Sequence, residues 1–420
     1  MKNSEISGFY KLSPEERLKS IKQFANLTDG EIQLLKNTGA LQIDQANRMI
    51  ENVIGTMPVT LGIATNFLIN DKDYLIPMAI EEPSVVAAAS NAAKMARAMG
   101  GFTTSSTNPV MIGQIQVVSI PDPKRARMEI LAAKRSILDK ANDQDPILLS
   151  LGGGAKDLKA KTFDTKVGPM VIAEIHVDCR DAMGANAVNT MVEAVAPLIE
   201  KISGGKVYLR IISNLATERL ARAKATFTKE VLGDEVIDGI LNAYAFALAD
   251  PYRCATHNKG IMNGITSIVL ATGNDTRAVE AGAHAYAAIS GKYQPLTSWE
   301  RDNNENLVGT IEIPIAVGLV GGTTAIHPIA KIAVKILGVN TASELGEVMA
   351  SVGLAQNLAA LRALAVEGIQ HGHMKLHARN IAQMAGARGE MIDEIAEEMI
   401  QIKKVRLDTA KKLLKDKNSK

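Results

Sequence analysis

The chain has 420 residues, 46% hydrophobic and 4% aromatic, and 47 Lys and Arg stand against 45 Asp and Glu for a formal net charge of +2. Length and apolar content allow two or three domains with cores of their own, and the charge balance excludes a broad basic footprint for nucleic acid. The two cysteines, Cys179 and Cys254, give no disulfide framework and fit a reducing compartment; no apolar signal core opens the chain and no uninterrupted apolar run reaches spanning length, so a soluble cytoplasmic protein with no membrane contact is expected.

Ser13-Pro-Glu-Glu16 and Thr28-Asp-Gly-Glu31 are capping boxes that start two short helices, the second closed by Gly39. Residues 45–54 carry a third helical pattern, stopped by Gly55. Apolar runs at 59–68 and 74–80 flank Asn70-Asp-Lys-Asp73, which predicts a hairpin. Glu81-Glu82-Pro83-Ser84 then leads into an alanine-rich helix that Gly100-Gly101 ends. Glu82 thus sits at a strand-to-helix junction. It either complements the helix dipole, which favours the carboxylate, or points into a cleft, where burial favours the neutral acid.

Residues 101–109 read as a polar connection and a domain boundary. Beyond it come a strand at 113–120, a helix at 122–142, a hairpin over 157–165 and 170–178, a helix at 184–202 and a strand at 207–213. The order βαββαβ matches a ferredoxin-like sandwich. Within it Asp181-Ala-Met-Gly-Ala-Asn186 places glycine and small residues at a helix start, where a pyrophosphate can approach backbone N–H groups. An ordinary capped helix start gives the same pattern.

After Asn214, helical patterns cover 216–226 and 234–249. Asp250-Pro-Tyr-Arg253 leads into Ala255-Thr-His-Asn-Lys-Gly-Ile-Met-Asn-Gly264. If this is helix, Lys259 and Asn263 share a face. Ala271-Thr-Gly-Asn-Asp275 follows with a carboxylate after a glycine turn. A cation held near a carboxylate stays charged and can stabilise an oxyanion; a solvated loop lysine is the plain alternative. A helix is expected at 278–290, a strand at 307–315, a glycine turn at Gly318-Leu-Val-Gly-Gly-Thr-Thr324 and a buried helix at 341–365. His371-Gly-His373 and His377 lack a zinc-site pattern, so no metal is expected. A charged amphipathic helix at 391–414 closes the chain as a mobile flap.

Taken together, Glu51-Asn-Val-Ile-Gly55, Glu81-Glu-Pro-Ser84, Gly100-Gly-Phe-Thr-Thr-Ser105, Asp181-Ala-Met-Gly-Ala-Asn186, His257-Asn-Lys-Gly-Ile-Met-Asn263, Gly318-Leu-Val-Gly-Gly322 and Leu376-His-Ala-Arg-Asn380 resemble class II 3-hydroxy-3-methylglutaryl-CoA reductases. Each motif is weak alone; the ordered set spans most of the chain. The resemblance implies an α+β fold: a large, mainly helical α/β domain (1–109 and 215–370), an inserted ferredoxin-like small domain (110–214) and a C-terminal helical flap (371–420).

It also implies reduction of HMG-CoA to mevalonate and CoA, or the reverse, in two hydride steps through a hemithioacetal. Carried onto this chain, Lys259 donates to the developing oxyanion and Asp275 orients it. Glu82 hydrogen-bonds the carbonyl oxygen, and His377 protonates the departing CoA thiolate, whose ordinary pKa is ~8.5. Ser84, Arg253 and Asn263 contact the acyl group, with Asn214 beside the lysine. Asp181, Met183, Gly184 and Asn186 lie near the nicotinamide cofactor. Asp145 stands where a ribose 2′-hydroxyl is bound, which favours NADH; Arg125, Arg127 and Lys134 leave NADPH open. A homodimer with shared sites is expected. A lysine Schiff-base lyase and a non-catalytic acyl-CoA binder are the rival readings.

Overall fold

Both capping boxes form. In the computed structural model, which describes residues 3–366 and 369–418, the Ser13 and Thr28 hydroxyls accept from the N3 amides of the helices Pro14–Ala25 and Asp29–Lys36. The second helix ends at Asn37, before Gly39. The expected third helix shrinks to Ile43–Ala46. Beyond it Ile50, Ile54 and Met57 are exposed, so no core within this chain supports a longer amphipathic helix.

The hairpin forms as β1, Leu61–Ile69, and β2, Lys72–Ala79. Asn70 and Asp71 take positive φ at its tip, as a two-residue loop with the right twist requires. Residues 101–109, expected to be a connection, contain β3, Phe102–Ser106, and β4, Val110–Val118, begins directly after. Then follow β5, Gly154–Thr165, β6, Gly168–Asp178, β7, Lys206–Ser213, β8, Leu220–Phe227, β9, Thr297–Arg301, and β10, Leu307–Pro314.

Two sheets result. One runs β5-β6-β4-β7, all antiparallel, which is the ferredoxin-like order of the expected βαββαβ unit. Its helical layer is Pro123–Ala132, Lys134–Asn142 and Ala185–Ser203, around a core of its own that includes Ile115, Ile130, Ile137, Ile175 and Met191. The other runs β2-β1-β3-β8-β10-β9. The helix expected at 216–226 is therefore wrong: those residues hold β8, paired with β3 and β10. Ala221, Ala223, Ala225 and Phe227 alternate inward along it. The alanines are good helix formers individually, but the period of two and pairing on both sides override propensity.

Against this sheet lies the helix Ala342–Val366, which also packs on the helices Val85–Ala96, Asp234–Ala249 and Pro251–Ala271. It is the one helix among the described residues with the length and apolarity of a membrane span, yet 67% of its apolar window is buried inside the protein. Glycines let it approach Pro251–Ala271 closely. A Cβ on Gly264 would lie 3.0 Å from a Val352 methyl, and one on Gly353 would lie 2.8 Å from Ile265 Cδ1. The tail is two helices, Met391–Gln401 and Leu407–Asn418, where one was expected. With Ile369–Met384 they enclose a separate core of Ala378, Ala382, Ile395, Met399 and neighbours.

Gly101 joins the first helix layer to β3 with φ +82, and a Cβ there would lie 2.2 Å from the Leu68 carbonyl oxygen, a backbone atom that cannot swing aside. Gly101→Ala should therefore cost about 3 kcal/mol, seen as a fall of several degrees in melting temperature; an unchanged transition would show that the strand shifts freely.

Candidate active site

Asp250 caps the helix Pro251–Ala271 by accepting from the Arg253 amide, and Pro251 occupies its first position. The lysine stretch is thus the second and third turns of a helix. His257 and Asn258 are buried under it, while Lys259 is 61% exposed. Lys259 Nζ lies 2.8 Å from Glu82 Oε2, and Asn263 Nδ2, one turn on, donates to the same oxygen at 3.3 Å. Glu81 is exposed and Glu82 half-buried, so the register at Pro83 turns Glu82 toward the lysine.

Ser84 follows in the left-handed region at φ 73, with its hydroxyl making no cap bond. A non-glycine residue held there stores strain, which proteins concentrate at functional positions. Arg253 lies six residues before Lys259 on the same helix and is half-buried. Among the described residues its guanidinium has no hydrogen-bond or ion-pair partner, and burial pulls its pKa down. An anionic group would satisfy it in a bidentate fork.

The second part of the site is a cleft of about 1300 Å³ lined by Asp145, Met183, Gly184, Asn186 and Asp275, together with the glycine turn at 318–323. Gly184 has φ +105, and a Cβ there would strike Cys179 Sγ at 2.4 Å. Gly184 starts the helix Ala185–Ser203 without a side-chain cap, leaving its first amides for an anion. The residues present therefore fit a pyrophosphate. Asp145 caps Pro146–Ser150, one oxygen accepting from Leu148 N at 2.9 Å. Asp181 does not line the cleft. Its carboxylate accepts from Ala342 N at 2.8 Å and its carbonyl from Leu319 N, so it ties the loop to the core helix. Arg125, Arg127 and Lys134 do not line it either; they bond Glu129, the Ala160 carbonyl and Asp157.

Two expected pairings are not met within the chain. Asp275 does not touch Lys259. It caps the helix Thr276–Ala287, accepting from Arg277 N and Ala278 N. Lys259 and Ala271 lie on one straight rod, about 18 Å apart by helical rise, so a lysine cannot span to a carboxylate past the far end. Asn214 packs its carbonyl on Gly282 of that same capped helix, and no hydrogen bond links it to Lys259. One chain thus presents two separate groups: Glu82, Lys259 and Asn263 in contact in one, with Ser84 close to Glu82 in sequence and Arg253 earlier on the lysine helix, and Asp275 with the cleft in the other. His377 is exposed on the helix Ile369–Met384. The side chains of His371 and His373 lie outside the described residues.

Three residues went unread in the sequence. Arg219 is buried and donates to the Ala182, Met183 and Val317 carbonyls, which binds the Asp181–Asn186 loop to the glycine turn. Its one signal was a cation inside an alanine-rich run. Arg277 and His327 line the cleft, the latter accepting the Ile329 and Ala330 amides on Nδ1.

Residues 13–378 match the family model described as hydroxymethylglutaryl-coenzyme A reductase. The chain belongs to this reductase family. A 3-hydroxy-3-methylglutaryl-coenzyme A reductase from Archaeoglobus fulgidus is 64% identical over 98% of this chain and 94% of its own. The solved class II reductase from Streptococcus pneumoniae, bound to NADPH in open conformations, superposes with TM-score 0.82 at 40% identity, covering 97% of this chain and 100% of that one. A second structure of the Streptococcus pneumoniae reductase gives TM-score 0.84 at 40% identity over 98% and 99%. Family membership agrees with the α+β architecture.

Arg219→Met would leave three carbonyls without their charged donor. Such bonds contribute about 1.5–3 kcal/mol each, and the loop they hold lines the cleft. The KM for the nicotinamide cofactor should rise about tenfold or more, with a smaller change in kcat; an unchanged cofactor KM would remove Arg219 from the loop's support.

Proposed function

We infer that this chain reduces 3-hydroxy-3-methylglutaryl-CoA to mevalonate and free CoA, consuming two reduced nicotinamides and two protons, with the reverse oxidation open to the same groups. Family membership supports the reaction; the Lys259–Glu82–Asn263 cluster carries its placement on this chain. The cofactor, when bound, supplies hydride to the acyl carbon. Everything else falls to side chains.

As the carbonyl carbon becomes tetrahedral, charge gathers on its oxygen. Lys259 is the cation placed to meet it; Glu82 holds the ammonium's position, and Asn263 steadies Glu82 by donating to the same oxygen. Glu82 shares the proton between itself, Lys259 and the substrate oxygen. Arg253, with its unpaired guanidinium, takes the substrate's free carboxylate, and the strained Ser84 offers its hydroxyl to the acyl group. His377, carried in by the flap of 371–420, protonates the CoA sulfur as the carbon–sulfur bond breaks. The second reduction needs no sulfur protonation; the oxyanion donors act again, and the alkoxide takes its proton through the Glu82–Lys259 pair to become the alcohol. A lysine Schiff base is disfavoured, since it needs a desolvated amine and Lys259 is exposed beside a carboxylate.

The dinucleotide would lie on the 110–214 domain, against Gly184 and Asn186. Asp145, at the cleft edge, favours NADH through a ribose hydroxyl. Arg277 in the same cleft and the NADPH-bound relative keep NADPH in the comparison. The acyl group would sit on 1–109 and 215–370. Two free, buried cysteines support a cytoplasmic setting.

The active unit we propose is a homodimer. The separation of Lys259 from Asp275 along one rod supports it, because a partner's Asp275 and cleft can meet Lys259 where the chain's own cannot. So does the exposed apolar run around Ile50, Ile54 and Met57, which needs cover. A two-fold axis completes both sites at once.

Lys259→Ala should lower kcat by ~10²–10³ or more, as loss of an oxyanion donor does, with melting unchanged. The assay follows reduced-nicotinamide absorbance with HMG-CoA, NADH and NADPH in parallel. Near-normal turnover would sink the assignment.

Mixing inactive Lys259→Ala with inactive Asp275→Asn subunits tests the shared site. Each exchanged dimer should regain one intact site, so activity returns in part. Demonstrated exchange without recovery would place each whole site on one chain.

A further inference from the structure

Beneath Lys259 runs a buried chain of polar side chains that the proposed reaction does not use. His257 Nε2 lies 2.8 Å from Thr297 Oγ1, which lies 2.9 Å from Asn357 Oδ1, and Trp299 Nε1 approaches that same oxygen at 2.8 Å. All four side chains are buried, at 4% exposure or less. They come from three elements: the Lys259 helix, β9 and the core helix Ala342–Val366.

The direction of every bond follows from one end. An indole N–H can only donate, so the Asn357 atom facing Trp299 is its oxygen. That oxygen cannot donate to Thr297, so the Thr297 hydroxyl gives it its single proton. The hydroxyl must then accept from the histidine, which fixes His257 as the Nε2–H tautomer. Its Nδ1 is left as a buried bare acceptor with no hydrogen-bond partner. Burial, helped by the charge of Arg253, pulls His257 down to about 4, in keeping with a ring that holds one proton at working pH. Next in sequence, Asn258 accepts from Leu296 N at 3.0 Å and donates to the Gln294 carbonyl at 2.9 Å.

We propose that the directed chain Trp299–Asn357–Thr297–His257 positions Lys259. It sets the rotation of the helix Pro251–Ala271 about its own axis, and thereby aims Lys259 and Asn263 at Glu82. These are positioning residues; none touches substrate. Apolar packing alone tolerates rotation of a helix by a fraction of a turn, because small residues line its contact with Ala342–Val366. Hydrogen bonds at fixed angles do not. Lys259 is two residues beyond His257, about 200° around the helix, so anchoring the buried face settles the exposed one.

The proposal rests on the reductase reading for its kinetic test, and a tautomer measurement tests its geometry without that reading. In uniformly labelled wild-type dimer, nitrogen–proton correlation of the imidazoles should show His257 protonated at Nε2 only. An Nδ1–H signal overturns the proposal whatever the enzyme reduces. Thr297→Val keeps shape and removes the hydroxyl; Thr297→Ser keeps the hydroxyl. The valine variant should lose about tenfold or more in kcat/KM for the acyl substrate with the cofactor KM unchanged, and the serine variant should restore most of it. A valine variant that melts earlier but turns over normally leaves the network a purely structural role and overturns the proposal. A serine variant as impaired as the valine one does the same. Should the valine protein not fold, the serine variant and the tautomer decide.

Discussion

The rise of one buried helix governs this site. Pro251–Ala271 carries Lys259 and Asn263 along one side, Arg253 further round near its start, and delivers Asp275 just past its end. A helix is close to incompressible along its axis, so the gap between Lys259 and Asp275 is set by residue count and not by side-chain choice. Under the proposed function both residues act on one reacting centre, and the proposed second copy of the chain would supply the carboxylate that this rod keeps away from its own lysine. The close glycine contacts at Gly264 and Gly353 hold the helix against the core, so the rod does not bend to relieve the constraint.

How much of this was legible beforehand depended on the range of the interaction that decides each feature. Capping boxes, the Asn70-Asp71 hairpin tip and the Gly184 turn are local, and each formed as its residues dictate. The ferredoxin-like unit was legible because its strands and helices alternate in sequence with clear periods. β3 and β8 were not, since both lie in the middle of a sheet, β3 being short and β8 alternating alanine with polar residues. Their partners lie far off in sequence, and an alanine-rich run such as Ala221–Ala225 has no local reason to prefer pairing over coiling. The single expected tail helix failed for the opposite reason: three helices closing on Ala378, Ile395 and Met399 need a break that the charged pattern does not announce.

The candidate site divides in the same way. Resemblance picked out Glu82 and Lys259, and the fold sets them 2.8 Å apart. Reading along the chain, however, places Asp275 near Lys259 because sixteen residues look close on a page; the helix converts that separation into length. Arg219 and the Trp299–Asn357 chain were hidden because their roles exist only where three distant elements meet.

The electrostatics of the Lys259–Glu82 pair bear on the proposed dimer as well. An ion pair as open as Lys259–Glu82, with the lysine 61% exposed, contributes about 0–1 kcal/mol in water. A donor so placed has little to offer an oxyanion, because solvent screens it and already satisfies it. The same ammonium becomes effective only when water is removed, since fixed charges act strongly in a low-dielectric site. Among the described residues Lys259 is left 61% exposed. In the proposed reaction its cover comes from the substrate and from the proposed partner's dinucleotide cleft. Under the proposed function, exposure of the lysine in the single chain leaves a surface open for the components that bring both the reactants and the low dielectric.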